Sequence, residues 1–293
     1  MKVQLNICHS YWNKPKQNTK KRIDFADTES EYADMLCAAL SVAFAKRNNC
    51  NISLYTDFTG REKYGWLPYD DVIVCLEDHD FAVDFWASGK IIAQEHAPIG
   101  SVFVDMDLFI KNQTCVDKIL SLKNCDAVAQ NFENNYETNC NNKNSVAKVV
   151  DILGRTTVAD MPEVNFATDI HAYCCGLVQF NNAEYKARYI EGYKKLYAEI
   201  TSGPNWEKHK NTVGCIDLLT EQAYLYLLKR HYGYSVGTLI GNGNSDWYGG
   251  AKEVGLTHLI HISKYHHTVI EKCEQLLKQV DLELYKKVLE FRD

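Results

Sequence analysis

No C-x-x-C occurs among the 11 cysteines of this 293-residue chain, which excludes zinc ribbons and thioredoxin-type redox motifs. The G-x-x-x-x-G-K-[ST] loop of P-loop ATPases is missing, and no G-x-G-x-x-G follows the first strand-like segment, which argues against a Rossmann dehydrogenase. H-E-x-x-H and G-x-S-x-G are also lacking, removing common zinc proteases and α/β-hydrolases. A basic excess is missing too. With 32 Lys+Arg against 38 Asp+Glu, the net charge is −6, a poor match to nucleic acid or an anionic membrane. The longest apolar run, Met35–Ala45, is broken only by Ser41 and falls far short of a transmembrane segment. Met1-Lys2-Val3 leads straight into a strand-like stretch with no signal-peptide core. The expectation is a soluble, cytoplasmic protein with reduced thiols, several of them packed as small hydrophobes: Cys37 in MLCAAL, Cys75 in VIVCL.

What is present is an alternation of strand-like and helix-like stretches. Strands are expected at Val3–Cys8, Asn51–Tyr55, Asp71–Leu76, Ser101–Val104, Ala127–Gln130, His171–Phe180 and Leu256–Ile262. Helices are expected at Glu31–Asn48, Phe81–Ala93, through the series Tyr185, Tyr189, Tyr193, Leu196, Tyr197 and Ile200, at Ile216–Arg230 and over His267–Phe291. Polar loops are expected at Asn13–Arg22 and Asn131–Asn144, and the Gly-rich stretch Gly241–Gly250 is a candidate mobile lid. The pattern implies an α/β fold: a mainly parallel central sheet with flanking helices, and ligands beyond the carboxyl ends of the strands.

Two D-x-D triplets occur, a number that chance alone supplies (on the order of one or two). Asp78-His-Asp80 lies in a polar connection and reads as a solvated turn. Asp105-Met-Asp107 is different, flanked by Val102-Phe-Val and Leu108-Phe-Ile. Carboxylates in such surroundings are costly unless paired, and in a strand positions i and i+2 share a face, so one divalent cation could serve both. The alternative is a strand end where both Asp cap the next turn.

Gly100–Ile110 resembles the apolar-D-x-D-apolar strand of GT-A glycosyltransferases, and the similarity is nearest to the family 8, glycogenin-like and galactosyltransferase branch. His171–Asn182 resembles that family's Asn-Ala-Gly-(apolar)₃-Asn segment, keeping Gly176 and Asn181 but with Cys174 and Cys175 for the Asn-Ala pair. Thr220–Leu225 is similar to its Asp-Gln-Asp-x-Leu motif, placing Glu221 and Gln222 on the first two positions and Ala223 on the second Asp. Gly255–Lys264 looks like its C-terminal H-x-x-x-Lys region. The opening Asn6–Pro15 departs from the family's usual start.

The resemblance implies a single GT-A, Rossmann-like domain over residues 1–293. Residues 1–130 would form its nucleotide- and metal-binding half, 131–266 its acceptor-side half and 267–293 a closing helix. It implies a hexosyltransferase that uses Mn²⁺ or Mg²⁺ and a nucleotide-diphospho-sugar, UDP-sugars favoured, with a saccharide or other hydroxyl acceptor. Asp105, Asp107 and His261 would hold the metal, and Asp105, Lys264 and Gly176 would contact the donor. Lys90 is a weaker donor candidate, with a solvated surface Lys as its alternative. Glu221 and Gln222 are the catalytic-side candidates. Tyr11 and Trp12 could stack on a base or sugar or be aromatic core, and Asp57 could meet the nucleoside or cap a turn. His258, His266 and His267 carry no assigned role. Two other readings stay open: a metal-dependent nucleotidyl or phosphoryl transferase, and a non-catalytic nucleotide-sugar-binding or scaffold protein of the same fold.

Overall fold

The computed structural model describes residues 4–14, 28–82, 85–133, 143–165, 171–210, 216–217, 219–241 and 247–292; a few side chains within these, His261 among them, lie outside the description. Residues 242–246 of Gly241–Gly250 and 134–142 of Asn131–Asn144 fall outside it as well.

The strands, in chain order, are β1 (Asn6–Tyr11), β2 (Asn51–Thr56), β3 (Asp71–Val74), β4 (Val102–Val104), β5 (Leu108–Ile110), β6 (Ala127–Ala129), β7 (Phe132–Glu133), β8 (Thr157–Val158), β9 (Met161–Asn165), β10 (Ala172–Tyr173), β11 (Leu177–Phe180), β12 (Val236–Thr238) and β13 (Leu256–His258). Seven form one sheet in the order β12-β6-β11-β4-β1-β2-β3. Every neighbouring pair in it is parallel except those made by β11, which runs antiparallel to both β4 and β6. The mainly parallel α/β sheet expected from the sequence is therefore present.

Strand side chains alternate between two cores, as the period of two requires. Cys8, Phe103, Ala127 and Ala129 face one cluster, which also takes Tyr185, Tyr189 and Tyr193 of the helix Ala183–Ser202. Ile7, Val102, Val104 and Val128 face the other. That second core holds the helix Thr28–Arg47, buried almost continuously from Tyr32 to Ala45 because the helix His267–Val280 covers its outer side. A neutral chain of hydrogen bonds crosses it. Ser41 Oγ donates to Leu108 O (2.7 Å), so it accepts from His9 Nε2–H (3.0 Å), and His9 Nδ1 accepts from Tyr69 OH (2.8 Å). Burial holds His9 far below the ordinary imidazole range, down to about 3.

Several elements differ from expectation: the first strand is Asn6–Tyr11 and not Val3–Cys8, and in the helix read over Ile216–Arg230 a π-helical turn, Leu219–Ala223, precedes the α-helix Tyr224–Tyr232. The helix read over Phe81–Ala93 is Ser88–His96, because the preceding stretch folds back on itself: Phe85 N–H bonds Ala82 O and Ser88 N–H bonds Phe85 O, each at 3.0 Å. The Phe81 and Phe85 rings meet Tyr197 edge-on, so tertiary packing overrides the helical period there. The strand His171–Phe180 is broken into β10 and β11, since Gln130 N–H bonds both Cys174 O and Leu177 O and bends the chain between them. The strand Leu256–Ile262 stops at His258, and His261–Tyr265 is a 3₁₀ turn. Among the described residues no helix is long and apolar enough to cross a membrane.

One close approach fixes how the Tyr-rich helix crosses its neighbour. A Cβ on Gly192 would lie 1.8 Å from the hydroxyl and 2.4 Å from Cζ of buried Tyr224. Gly192→Ala is expected to lower stability by about 1–3 kcal/mol by overpacking, read as a lower urea midpoint at constant m. A midpoint equal to wild type would show that Tyr224 swings clear.

Candidate active site

The site begins where β4 ends. Val102, Phe103 and Val104 are buried, and the chain then turns sharply, Leu108 N–H bonding Asp105 O at 2.9 Å before β5 starts. Asp105 and Asp107 thus converge across a tight turn and not along a strand face, which corrects the i, i+2 strand geometry. The Asp105 N–H is held by Gly176 O at 2.8 Å.

The imidazole that meets these carboxylates is His258, for which the sequence suggested no role. β13 pairs antiparallel with β5, placing His258 opposite Leu108 and so beside Asp107. Its Nε2 lies 3.5 Å from Asp107 Oδ1 and 3.7 Å from Asp105 Oδ2. Its Nδ1–H donates to Gln130 Oε1 at 2.9 Å, which fixes the ring and leaves Nε2 pointed at the carboxylates. Gly176 makes room for this pair, since a Cβ there would lie 2.3 Å from His258 Cε1 and 2.7 Å from Gln130 Oε1. One ligand atom each from Asp105, Asp107 and His258 fall within 4.8 Å of one another, a spacing and donor set that fit a divalent cation. The proposed third ligand, His261, has its side chain outside the described residues.

Two ammonium groups flank the carboxylates. Lys90, buried in the helix Ser88–His96, sits 2.6 Å from Asp105 Oδ1 and 3.0 Å from Glu221 Oε1, and donates to Cys175 O at 3.0 Å. The solvated-lysine alternative for Lys90 is excluded. Lys264 lies 2.9 Å from Asp107 Oδ2 and 3.2 Å from Asp34 Oδ1. Burial alone would push both lysines down; the paired carboxylates more than reverse this and hold both well above the ordinary range. Asp107 is raised by burial but lowered further by His258 and Lys264, so it stays well below the usual carboxylate range. His258, lowered by burial, is carried up to about 10 by Asp107, the Cys174 thiol and Asp105.

A cavity of about 340 Å³ opens over the turn, lined among others by Tyr11, Trp12, Lys90, Asp105, Asp107 and Lys264. Tyr11 packs on Tyr64 at 4.7 Å, and Trp12 lies against His79 at 4.4 Å with its buried indole N–H unpartnered among the described residues. Both rings are core and lining at once. Asp57 is not brought to the lining: it caps the helix Phe58–Tyr64, accepting from Gly60 N–H (2.7 Å) and Asn13 N–H (2.6 Å). Gly176 lies beneath the site. Glu221 reaches it only through Lys90, from a π-helical turn, Leu219–Ala223, that also carries half-buried Gln222. Asp78 and Asp80 are exposed in the connection after β3, as a solvated turn should be.

A family model described as a family of unknown function (DUF6734) matches residues 5–291. No curated protein matches the chain. Solved structures similar to it include the galactosyltransferase LgtC in complex with donor and acceptor sugar analogs (12% identity, TM-score 0.46, covering 97% of this chain and 96% of that one). Mouse xyloside xylosyltransferase 1 in its apo form is similar at 12% identity and TM-score 0.39, covering 87% and 97%. The glycosyltransferase GlyE of Streptococcus pneumoniae TIGR4 is similar at 11% identity and TM-score 0.40, covering 99% and 63%.

Beneath the site lie two fully buried acids. Burial raises Glu221, and Lys90 only partly opposes it. Burial likewise raises Asp217, to about 8, against donated bonds from Ala87 N–H (2.7 Å) and Tyr193 OH (3.0 Å). The folded chain therefore keeps a proton on Asp217 that the unfolded chain releases near the ordinary carboxylate value, about 3.9. That proton's contribution is complete at acid pH and is lost as pH rises toward 8. Asp217→Asn, which carries no titrating group, is expected to gain stability relative to wild type between pH 5 and pH 8 in urea denaturation. A constant difference across that range would show that Asp217 is ionised throughout.

Proposed function

The chain belongs to the DUF6734 family, and from its site we propose that it is a metal-dependent glycosyltransferase of GT-A type using a nucleotide-diphospho-sugar, with UDP-sugars favoured. The observation that carries this reading is the convergence of Asp105, Asp107 and His258 Nε2 at the wall of a cavity flanked by two buried ammonium groups. The motif resemblance of Gly100–Ile110 and Gly255–Lys264 supports it.

In this reading Asp105, Asp107 and His258 hold Mn²⁺ or Mg²⁺. A cation there would supply Lewis acidity toward the departing nucleoside diphosphate. Lys90 and Lys264 pair with and orient the two carboxylates, and Lys264, on the cavity wall, can also offer a hydrogen-bond donor to a phosphate oxygen. Tyr11 and Trp12 form the aromatic wall for base or sugar. Gln222 remains a candidate on the sugar's far side, and Glu221 sets the charge around Lys90. Catalysis is then mainly positioning and charge stabilisation in a water-poor pocket.

A non-catalytic nucleotide-sugar-binding reading is favoured by one observation: each carboxylate already has an ammonium partner, so the site is charge-compensated by its own side chains. Calorimetry with UDP- and GDP-sugars, with and without Mn²⁺, decides. Metal-dependent binding and slow donor hydrolysis are expected of the enzyme, whereas binding that ignores metal would favour the binder. Asp105→Asn and Asp107→Asn should each remove the metal-dependent binding. Both should fold, because Lys90 retains Glu221 and Lys264 retains Asp34; melting should move by no more than about 2–4 °C, equivalent to about 1 kcal/mol. Variants that melt far lower yet keep the metal-dependent binding would make the carboxylates structural.

A further inference from the structure

Trp86 is 41% exposed, and among the described large hydrophobic residues with exposed side chains it alone lines the cavity that holds Asp105 and Asp107. Its neighbours are anything but exposed. Phe85 is 0% and Ala87 1% exposed. The Phe85 ring is clamped edge-on against Tyr197 at 4.7 Å, and the turn closes over Trp86 through the Ser88 N–H bond to Phe85 O at 3.0 Å. On the other side Ala87 N–H is pinned by Asp217 Oδ2 at 2.7 Å, and Asp217 is bonded in turn by Tyr193 OH, which meets Ser88 Oγ at 2.9 Å.

Asp217 is a fully buried acid that accepts from Ala87 N–H, Tyr193 OH and Thr220 Oγ1, an expensive group to place in a core. Two of those partners, Ala87 directly and Tyr193 through Ser88, lead to the segment around Trp86, the one indole with an exposed side chain among the described residues. The result is an exposed indole carried on a fixed backbone at the cavity wall, with the backbone's ordering entropy spent during folding. At about 340 Å³ the cavity is at the small end of ligand sites, too small to enclose both reactants, so the second must meet the first at its edge. A pyranose offers an apolar C–H face and polar edges, which suits a flat ring with a negative face.

We propose that Trp86 is the acceptor platform of this site, stacking on the apolar face of a pyranose ring, so that the acceptor class is a saccharide. The proposal deepens the transferase reading and rests on it for the word acceptor, while the saccharide contact stands by itself. Lys90 lies four residues on, in the first turn of the helix Ser88–His96 that this turn leads into.

The test compares wild type, Trp86→Ala and Trp86→Phe against a panel of methyl pyranosides and disaccharides, by saturation-transfer NMR, with and without UDP and Mn²⁺. At least one pyranoside should bind wild type. Trp86→Ala should weaken it about tenfold, the upper end of an aromatic contact of about 1.5 kcal/mol, and Trp86→Phe should restore most of the loss. Nucleotide-sugar affinity, measured by calorimetry on the same samples, should not change. The proposal is overturned if no pyranoside binds wild type, if Trp86→Ala binds every pyranoside equally well, or if that variant loses the nucleotide-sugar instead. Pyranoside binding that depends on Trp86 in a protein that binds no nucleotide-sugar would uphold the platform and sink the transferase reading.

Discussion

Two carboxylates two residues apart on a tight turn, next to buried strand, repel each other and lose hydration. Cations built into the fold compensate them, and much of the architecture arranges that compensation. Lys90 must be buried and aimed at Asp105, so its helix starts late, after a stretch that turns back and is anchored by Asp217. Lys264 must come from the last quarter of the chain, delivered by a short 3₁₀ turn after β13. His258 needs its ring fixed, which Gln130 does, and Gly176 must lack a side chain for that bond to exist. Each demand falls on a different segment, yet all converge on one turn.

The same logic separates two kinds of buried polar group. His9, Ser41 and Tyr69 form a neutral relay in which each donor meets one acceptor, tying β1 to the long helix and to the turn after Asp107. It stiffens the floor without adding charge. The Lys90–Asp105–Glu221 set is charged, and its strength depends on excluding water. One network holds the scaffold and the other sets the field in the cavity.

Much of the fold was legible because it follows periodicity. Strand alternation, the Tyr185–Tyr193 face and the buried helix around Leu40 appear where the spacing puts them. Asp105 and Asp107 stood out because apolar residues flank them on both sides. What was not legible depends on pairing between distant segments. His258 carries no mark in the sequence that sets it apart from His261, and the antiparallel register of β13 on β5 places it beside Asp107. Lys90 reads as an ordinary helical lysine until Glu221 arrives from a π turn that no short-range pattern announces. Asp57 had a capping reading and a ligand reading, and the free N–H groups of Gly60 and Asn13 took both its oxygens. Trp86 carried no signal, since exposure is a property of its neighbours' anchoring.

The pairing of Asp107 with Lys264 spans 157 positions, and that of His258 with Gln130 spans 128. Contacts this distant in sequence form late and slow the search for the native state. During synthesis at about 5–20 residues per second, Asp107 leaves the ribosome on the order of ten seconds before its lysine does. Through that interval the turn carries negative charge with no partner from the C-terminal quarter, on a sheet whose β13 side is bare. The nascent chain therefore passes through a window in which the Asp105–Asp107 turn lacks the distant partners that later compensate it.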